Sequence, residues 1–236
     1  MCGRFTLTCS PDTVTQQFSL VSLGDIANFK PRYNIAPTQD LFTVRVSGEA
    51  SDQVWQSCGM RWGLIPGWAK DTALSSRLIN ARIETVGEKP AFRRAVSQRR
   101  CLIPADGFYE WKTQGTRKQP YYFQLENHQL FAFAGLWETW LSPAKQEIIS
   151  CTILTTAANP AIQPYHSRMP VVVPARLYTD WLDPQLTDAQ ALIPQLMEPI
   201  EQPGFIPYAV NTAVNRPTYD QPDCIQTIEP TASLSE

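Results

Sequence analysis

The chain has 236 residues, enough for one sizeable domain that buries its core without covalent staples. Hydrophobic residues make up 43% and charged residues 18%, which excludes wholesale disorder, and 20 prolines against 11 glycines exclude a helical bundle or coiled coil. With a formal net charge of −2, bulk electrostatics do not announce a nucleic-acid binder.

In chain order, the first predicted element is a short helix over residues 11–19. Ser10 is its N-cap, Pro11 sits in the first turn, and Val14 and Phe18 share a face. Residues 41–46 alternate as a strand. Residues 89–98 read as a basic amphipathic helix, with Phe92 and Val96 on one side and Arg93 and Arg94 off that stripe. A further strand lies within 101–111. Residues 121–125 and 130–137 flank the polar turn Glu126-Asn127-His128-Gln129, a hairpin pattern that leaves His128 facing water. Residues 148–155 form an apolar, β-branched strand, 174–182 and 188–196 short helices, the second disturbed by Pro194. A polar tail runs from Pro222 to the end. With neither repeat nor linker, the reading is one α+β domain with a mainly antiparallel sheet over 1–221, then a tail over 222–236.

Charge is unevenly spread. Arg77, Arg82, Lys89, Arg93, Arg94, Arg99 and Arg100 are set against only Glu84 and Glu88, a pattern that fits either a locally positive surface or an ordinary solvated helix. Six cysteines lie far apart with no CxxC pair, so no metal site and no dithiol motif is expected. There is no signal-like apolar segment and no membrane span, which gives the expectation of a reduced, cytoplasmic protein with free thiols and no cofactor.

The chemistry-bearing residues are few. His166 lies in a proline-bounded polar loop, where catalytic groups are often held. Glu110 sits between aromatic residues; alternation sends Phe108, Glu110 and Lys112 to one face and Tyr109 and Trp111 to the other. Desolvation there would suit Glu110 to acid/base work, although on composition alone a strand Glu paired with Lys112 or Arg117 in water is the favoured account. A strand over 78–84 would present Asn80, Arg82 and Glu84 together, two of them donors suited to an anion. Trp62, Trp68 and Trp111 offer stacking surfaces or core. The sharpest clue is Cys2. Methionine before a small residue is ordinarily removed, and a terminal cysteine then carries an α-amine of pKa near 8 beside its thiol. Such a pair traps an aldehyde twice, first as an imine and then as a five-membered thiazolidine; otherwise Cys2 is an inert thiol.

Taken in order, Met1-Cys2-Gly3-Arg4-Phe5, Arg32-Tyr33-Asn34-Ile35-Ala36-Pro37, Trp62-Gly63-Leu64-Ile65-Pro66, Asn80-Ala81-Arg82-Ile83-Glu84-Thr85, Pro104-Ala105-Asp106-Gly107-Phe108-Tyr109-Glu110-Trp111 and His166-Ser167-Arg168-Met169-Pro170 resemble the SOS-response-associated peptidase (SRAP) family. The resemblance implies a single β-rich domain with a barrel-like core, short flanking helices and a groove for single-stranded DNA. It implies recognition of abasic sites in such DNA and their capture as a thiazolidine DNA–protein crosslink, by a monomer working at the nucleoid or replication fork. It also implies roles: Cys2 as nucleophile, Asn80 orienting it or the opened sugar, Glu110 as acid/base, and His166 as proton shuttle. Arg4, Arg82 and Arg168 would be phosphate or lesion contacts, Trp68 the stacking wedge, and Thr155 a hydrogen-bond partner of the DNA backbone. Two departures are Ala69-Lys70 after Trp68, where relatives often carry a second aromatic, and the acidic pI near 5.8. The other readings are a thiol (auto)protease or N-terminal-nucleophile hydrolase, and a non-covalent binder of single-stranded DNA.

Overall fold

The computed structural model describes residues 2–20, 29–48, 53–188, 191–197 and 204–228. Its framework is two sheets packed on one another. The first comprises β1 (Phe5–Leu7), β2 (Arg32–Ile35), β7 (Gly107–Gln114), β8 (Arg117–Leu125) and β12 (Phe205–Ala209), in the order β12-β8-β7-β1-β2 with antiparallel neighbours. The second contains β3 (Asp40–Ser47), β4 (Val54–Trp62), β6 (Arg100–Ala105), β9 (Phe131–Leu141) and β10 (Glu147–Ala157).

These five strands close on themselves. β3 pairs with β4 and β6, β6 with β9, β9 with β10, and β10 returns to β4 in parallel through Ser150↔Arg61 and Cys151↔Trp62. The result is a small barrel, which removes the exposed edges an open sheet would leave. Two short strands extend it along β10: β5 (Asn80–Arg82), parallel, and β11 (Arg168–Pro170), antiparallel. The helices are short and peripheral: α1 (Pro11–Gln17), α2 (Arg93–Gln98), α3 (Tyr178–Leu182) and α4 (Ile193–Met197). The expected α+β fold with a barrel-like, mainly antiparallel core is the fold observed.

An aromatic layer joins sheet to barrel. Phe5 of β1 meets Trp62 of β4 at 5.3 Å and Phe133 of β9 at 5.7 Å between ring centroids, both edge to face. Phe108 of β7 stacks on Phe123 at 5.0 Å and reaches Phe133 at 6.2 Å. Edge-to-face and offset pairs of this kind add to the free energy of burying the rings themselves. The chain crosses from barrel to sheet at a single residue, Asp106, between β6 and β7. Its carboxylate accepts from Thr6 Oγ1 at 2.5 Å, Thr8 N at 2.5 Å and Thr8 Oγ1 at 2.7 Å, which locks the segment after Cys2 onto the crossing.

Local signals were realised where the structure is local. Ser10 caps α1 through Thr13 N at 3.2 Å, as expected. The basic helix expected over 89–98 is narrowed to α2 because its first residues form a turn, and the helix expected over 188–196 is realised as α4, with residues 189–190 outside the described set. The expected 121–137 hairpin is not formed. Leu125 pairs with Phe205 in the first sheet, whereas Phe131 pairs with Ala105 in the barrel. The intervening 3-10 turn, Glu126–His128, ends on His128 at φ 52°, and the chain leaves one sheet for the other there. His128 is exposed.

The loose tail expected from Pro222 is instead packed as far as Thr227. Pro222–Ile225 is a 3-10 turn, Cys224 is buried against Tyr109, Tyr122 and Val214, and Val210 bridges to Thr227. A Cys side chain filling a tyrosine-lined hollow is apolar burial that polar neighbours in sequence conceal. Residues 229–236 lie outside the described set.

The tightest point is Gly107, where an added Cβ would fall 2.1 Å from ring atoms of Tyr122. Tyr122 cannot retreat, since its hydroxyl is held 2.8 Å from Thr6 Oγ1 and its ring is buried. Gly107→Ala therefore lowers stability by about 3 kcal/mol in urea titration, through forced overpacking. Gly59→Ala, with nothing within 4 Å of the new methyl, shifts it by less than about 0.5 kcal/mol.

Candidate active site around Cys2

Cys2 is wholly buried three residues before β1. Asn80, first residue of β5, donates from Nδ2 to the Cys2 carbonyl at 2.8 Å. β5 is itself aligned on β10 through Ile153↔Asn80, so the asparagine is set by the barrel wall. Its Oδ1 is buried with no hydrogen-bond partner among the described residues, which leaves an acceptor for an incoming N–H or O–H. The Cys2 thiol lies 3.8 Å from the Arg4 carbonyl. Burial pushes the thiol well above the ordinary range, and the neighbouring Glu110 charge pushes it further.

Glu110 comes from β7, with 3% of its surface exposed. The predicted alternation holds: Phe108 belongs to the main core, whereas Tyr109 and Trp111 pack in a second cluster on the other face. Burial raises the Glu110 carboxyl above the usual carboxylate range, while the positive amino terminus and His166 pull it back. His166 is held by a turn in which its N–H donates to the Ile162 carbonyl at 3.1 Å. Its Nδ1 accepts from the Arg168 backbone N–H at 2.9 Å. The same Nδ1 lies 3.2 Å from the Arg168 carbonyl, so both backbone groups of Arg168 hold the ring in place.

Glu110 and His166 line a cleft of about 350 Å³ together with Arg4, Trp111, Lys118 and Asn215. Arg4 forms part of its wall: Nη1 donates to Asn34 Oδ1 at 2.8 Å and the Val214 carbonyl at 2.7 Å, and the guanidinium lies 5.8 Å from the Trp111 ring centre. Asn34 is fully buried and donates to the carbonyls of Val214, Arg216 and Tyr219, while Asp220 accepts from the backbone N–H groups of Tyr33 and Asn34. The segment around residues 212–220 is thereby clamped over the site.

A second depression, about 400 Å³ and mostly apolar, is lined by Trp68, Leu78, Asn80, Ala81, Arg82 and Phe92 among others. Asn80 belongs to this groove and also touches Cys2, so the groove reaches the site. Trp68 is 63% exposed at its side. Arg82 is exposed, and Ala81 and Ile83 are buried, so Asn80, Arg82 and Glu84 share a side as their alternation predicted, although only 80–82 is strand before the 3-10 turn Ile83–Thr85. Arg168 is held by Glu84 and by the carbonyl and hydroxyl of Thr155. Thr155 has no exposed surface.

The structure thus brings together Cys2 with Asn80, Glu110 with His166, Trp68 with Arg82, and Arg168 with Thr155. Of the basic run, Arg100 is buried on the carbonyls of Trp181, Val96, Ser97 and Asp183, and Arg99 pairs with Glu138, so neither adds a free surface cation. Sequence reasoning missed Lys118 and Asn215 in the cleft. Lys118 arrives through the short β7–β8 hairpin, opposite Thr113, which was not among the expected elements, and Asn215 is brought in by the clamped segment about a hundred residues further along the chain. Among the described residues no cluster of His, Cys, Asp or Glu is arranged to hold a metal, and no helix is long and apolar enough to cross a membrane.

The abasic site processing protein YoqW of Bacillus subtilis is 39% identical over 227 residues, covering 96% of this chain and 99% of the relative. The abasic site processing protein HMCES of Xenopus tropicalis is 28% identical over 269 residues, covering 97% of this chain and 78% of the relative. A crystal structure of a protein from Bacteroides thetaiotaomicron shares the fold with a TM-score of 0.84, at 23% identity and over 97% of this chain and 100% of the other. The profile of the SOS response associated peptidases matches residues 1–217. The chain belongs to the SOS response associated peptidase (SRAP) family.

Proposed function

We propose that this protein processes abasic sites in single-stranded DNA by capturing them covalently on Cys2 once Met1 has been removed. The observation that carries the reading is the placement of residue 2: buried, held by Asn80 and flanked by a buried carboxyl group. The family relatives named as abasic site processing proteins support it.

An abasic site exists partly as an open-chain aldehyde. The Cys2 α-amine, deprotonated by Glu110, attacks that carbonyl; loss of water leaves an imine. The S–H then adds across C=N, forming the S–C bond and returning a proton to nitrogen, which closes the thiazolidine. His166 exchanges a proton with the sugar as its ring opens and, in reverse, as the crosslink is released. Asn80 orients residue 2 through its carbonyl. This order suits the site. The thiol need not ionise in solution, because the imine holds the electrophilic carbon beside it. A thiol protease requires the opposite environment, a thiolate stabilised by an imidazolium or helix terminus. Here burial and a carboxylate both oppose that thiolate.

The groove beside Asn80 accepts the strand, with Trp68 as the base-stacking surface and Arg82 and Arg168 near its phosphates. Arg4 contributes as an anchored cation of the cleft wall, and Thr155 acts by holding Arg168. Each of these roles is filled within one chain, so a monomer suffices for the proposed reaction.

Wild-type protein incubated with single-stranded DNA bearing one abasic site gives a band that survives heat, salt and denaturant on a gel, and Cys2→Ala gives none. Absence of that band in protein whose intact mass shows Met1 removed contradicts the reading. The pH profile is a second check. Glu110 must be ionised to accept the proton, so the crosslinking rate falls as pH drops through its raised pKa, above the usual carboxylate value of about 4.3. Glu110→Gln slows crosslinking by roughly 10²-fold and flattens this acid limb.

A further inference from the structure

Arg168 and Glu84 form the most complete ion pair of the described site region. Arg168 Nη1 donates to Glu84 Oε1 at 2.6 Å and Nη2 to Oε2 at 2.8 Å, an end-on bidentate fork. Nη2 also donates to the Thr155 carbonyl at 2.5 Å. The pair is neither buried nor free in solvent: the side chains are 16% and 31% exposed. Two oxygens of a carboxylate in this fork present what two oxygens of a phosphate would present. Glu84 also feels the charge of Arg82, two residues earlier on the same side of the chain. One carboxylate therefore engages both arginines that face the site from β5 and β11.

The arrangement is unfinished from the side of Arg168. Its Nε is buried with no acceptor among the described residues. A buried donor without a partner calls for an explanation. A guanidinium that is shared with, or passed to, a second anion has one. Meanwhile the Arg168 backbone N–H holds His166, so the residue's main chain is fixed while its side chain has an anion it can exchange.

We propose that Glu84 is an internal stand-in for a DNA phosphate, occupying Arg168 in the free protein and lowering its affinity for undamaged single-stranded DNA. This rests on the proposed function, and it makes Glu84 a specificity-determining residue. A strand must displace the carboxylate to gain the Arg168 contact, so a passing phosphate gains little. A lesion that goes on to react at Cys2 is retained covalently and does not depend on that contact. Discrimination comes from weakening the reversible step for every strand while the irreversible-looking step remains confined to aldehydes.

The test uses intact and abasic oligonucleotides of the same length with wild type, Glu84→Gln, Arg168→Gln and the double variant. Binding of the intact strand, which cannot crosslink, is measured across a salt series. Glu84→Gln binds it roughly fivefold tighter than wild type, with the slope of log affinity against log salt steeper by about 0.7, the value of one further phosphate neutralised on a single strand. The gain disappears in the Arg168→Gln background, which separates release of Arg168 from a mere change in net charge. The ratio of abasic capture to intact-strand binding falls accordingly. Unchanged or weaker binding by Glu84→Gln, with its thermal melt intact, overturns the proposal and makes Glu84 a brace for Arg168. If Glu84→Gln does not fold, Glu84→Asp, which keeps the charge but shortens its reach, is expected to show the same direction at smaller size, and wild-type behaviour from it overturns the proposal. Failure of the wild type to bind or capture either strand at low salt overturns the proposed function itself.

Discussion

The position of residues 2–8 is the constraint on which the site depends. Chain ends ordinarily fray because few contacts oppose their conformational entropy. Here Cys2, Phe5, Thr6 and Leu7 are all essentially inaccessible. Phe5 is held between the two sheets by Trp62 and Phe133, and Thr6 and Thr8 are fastened to Asp106 at the crossing from barrel to sheet. A terminal residue anchored in this way has a defined direction and a defined neighbour. That is what allows an asparagine from β5 and a glutamate from β7 to be aimed at it from two different sheets.

The same structure shows why so much charge is placed under cover. Asn34, Asp220 and Arg100 each satisfy two or more backbone groups, and Asp106 satisfies the Thr8 N–H together with the hydroxyls of Thr6 and Thr8. Buried polar groups of this kind are tolerated because their hydrogen bonds are met, and breaking one partner exposes the desolvation penalty of the other. Glu110 differs from them. Its carboxyl is raised above the usual carboxylate range by burial that neighbouring positive charge only partly offsets, the kind of perturbation that gathers at functional sites.

How far the sequence foretold this differs by range of interaction. The capped helix at Ser10, the alternation that separates Phe108 and Glu110 from Tyr109 and Trp111, and the common side of Asn80 and Arg82 depend only on neighbours within a few residues, and all are present. The supposed hairpin over 121–137 failed because a polar turn between two apolar runs says nothing about which sheet each run joins; pairing with β12 and β6 decided that. The closure of the barrel through β10 and β4 is a parallel pairing between segments nearly a hundred residues apart, with no local mark. Asn215 was illegible for the same reason, and Lys118 because the β7–β8 hairpin that places it opposite Thr113 was not expected.

The central claim is that the α-amine and the thiol of residue 2 both bond to one carbon of the lesion. The most direct measurement is mass spectrometry of the amino-terminal peptide after capture of abasic single-stranded DNA and nuclease digestion, without chemical reduction, followed by thiol alkylation. The account predicts a peptide that begins at Cys2, carries the sugar remnant less one water, survives without borohydride, and resists iodoacetamide because its sulfur is already bonded. A remnant on the amine with a freely alkylated Cys2 thiol, or a remnant mapped to any other residue, would contradict it.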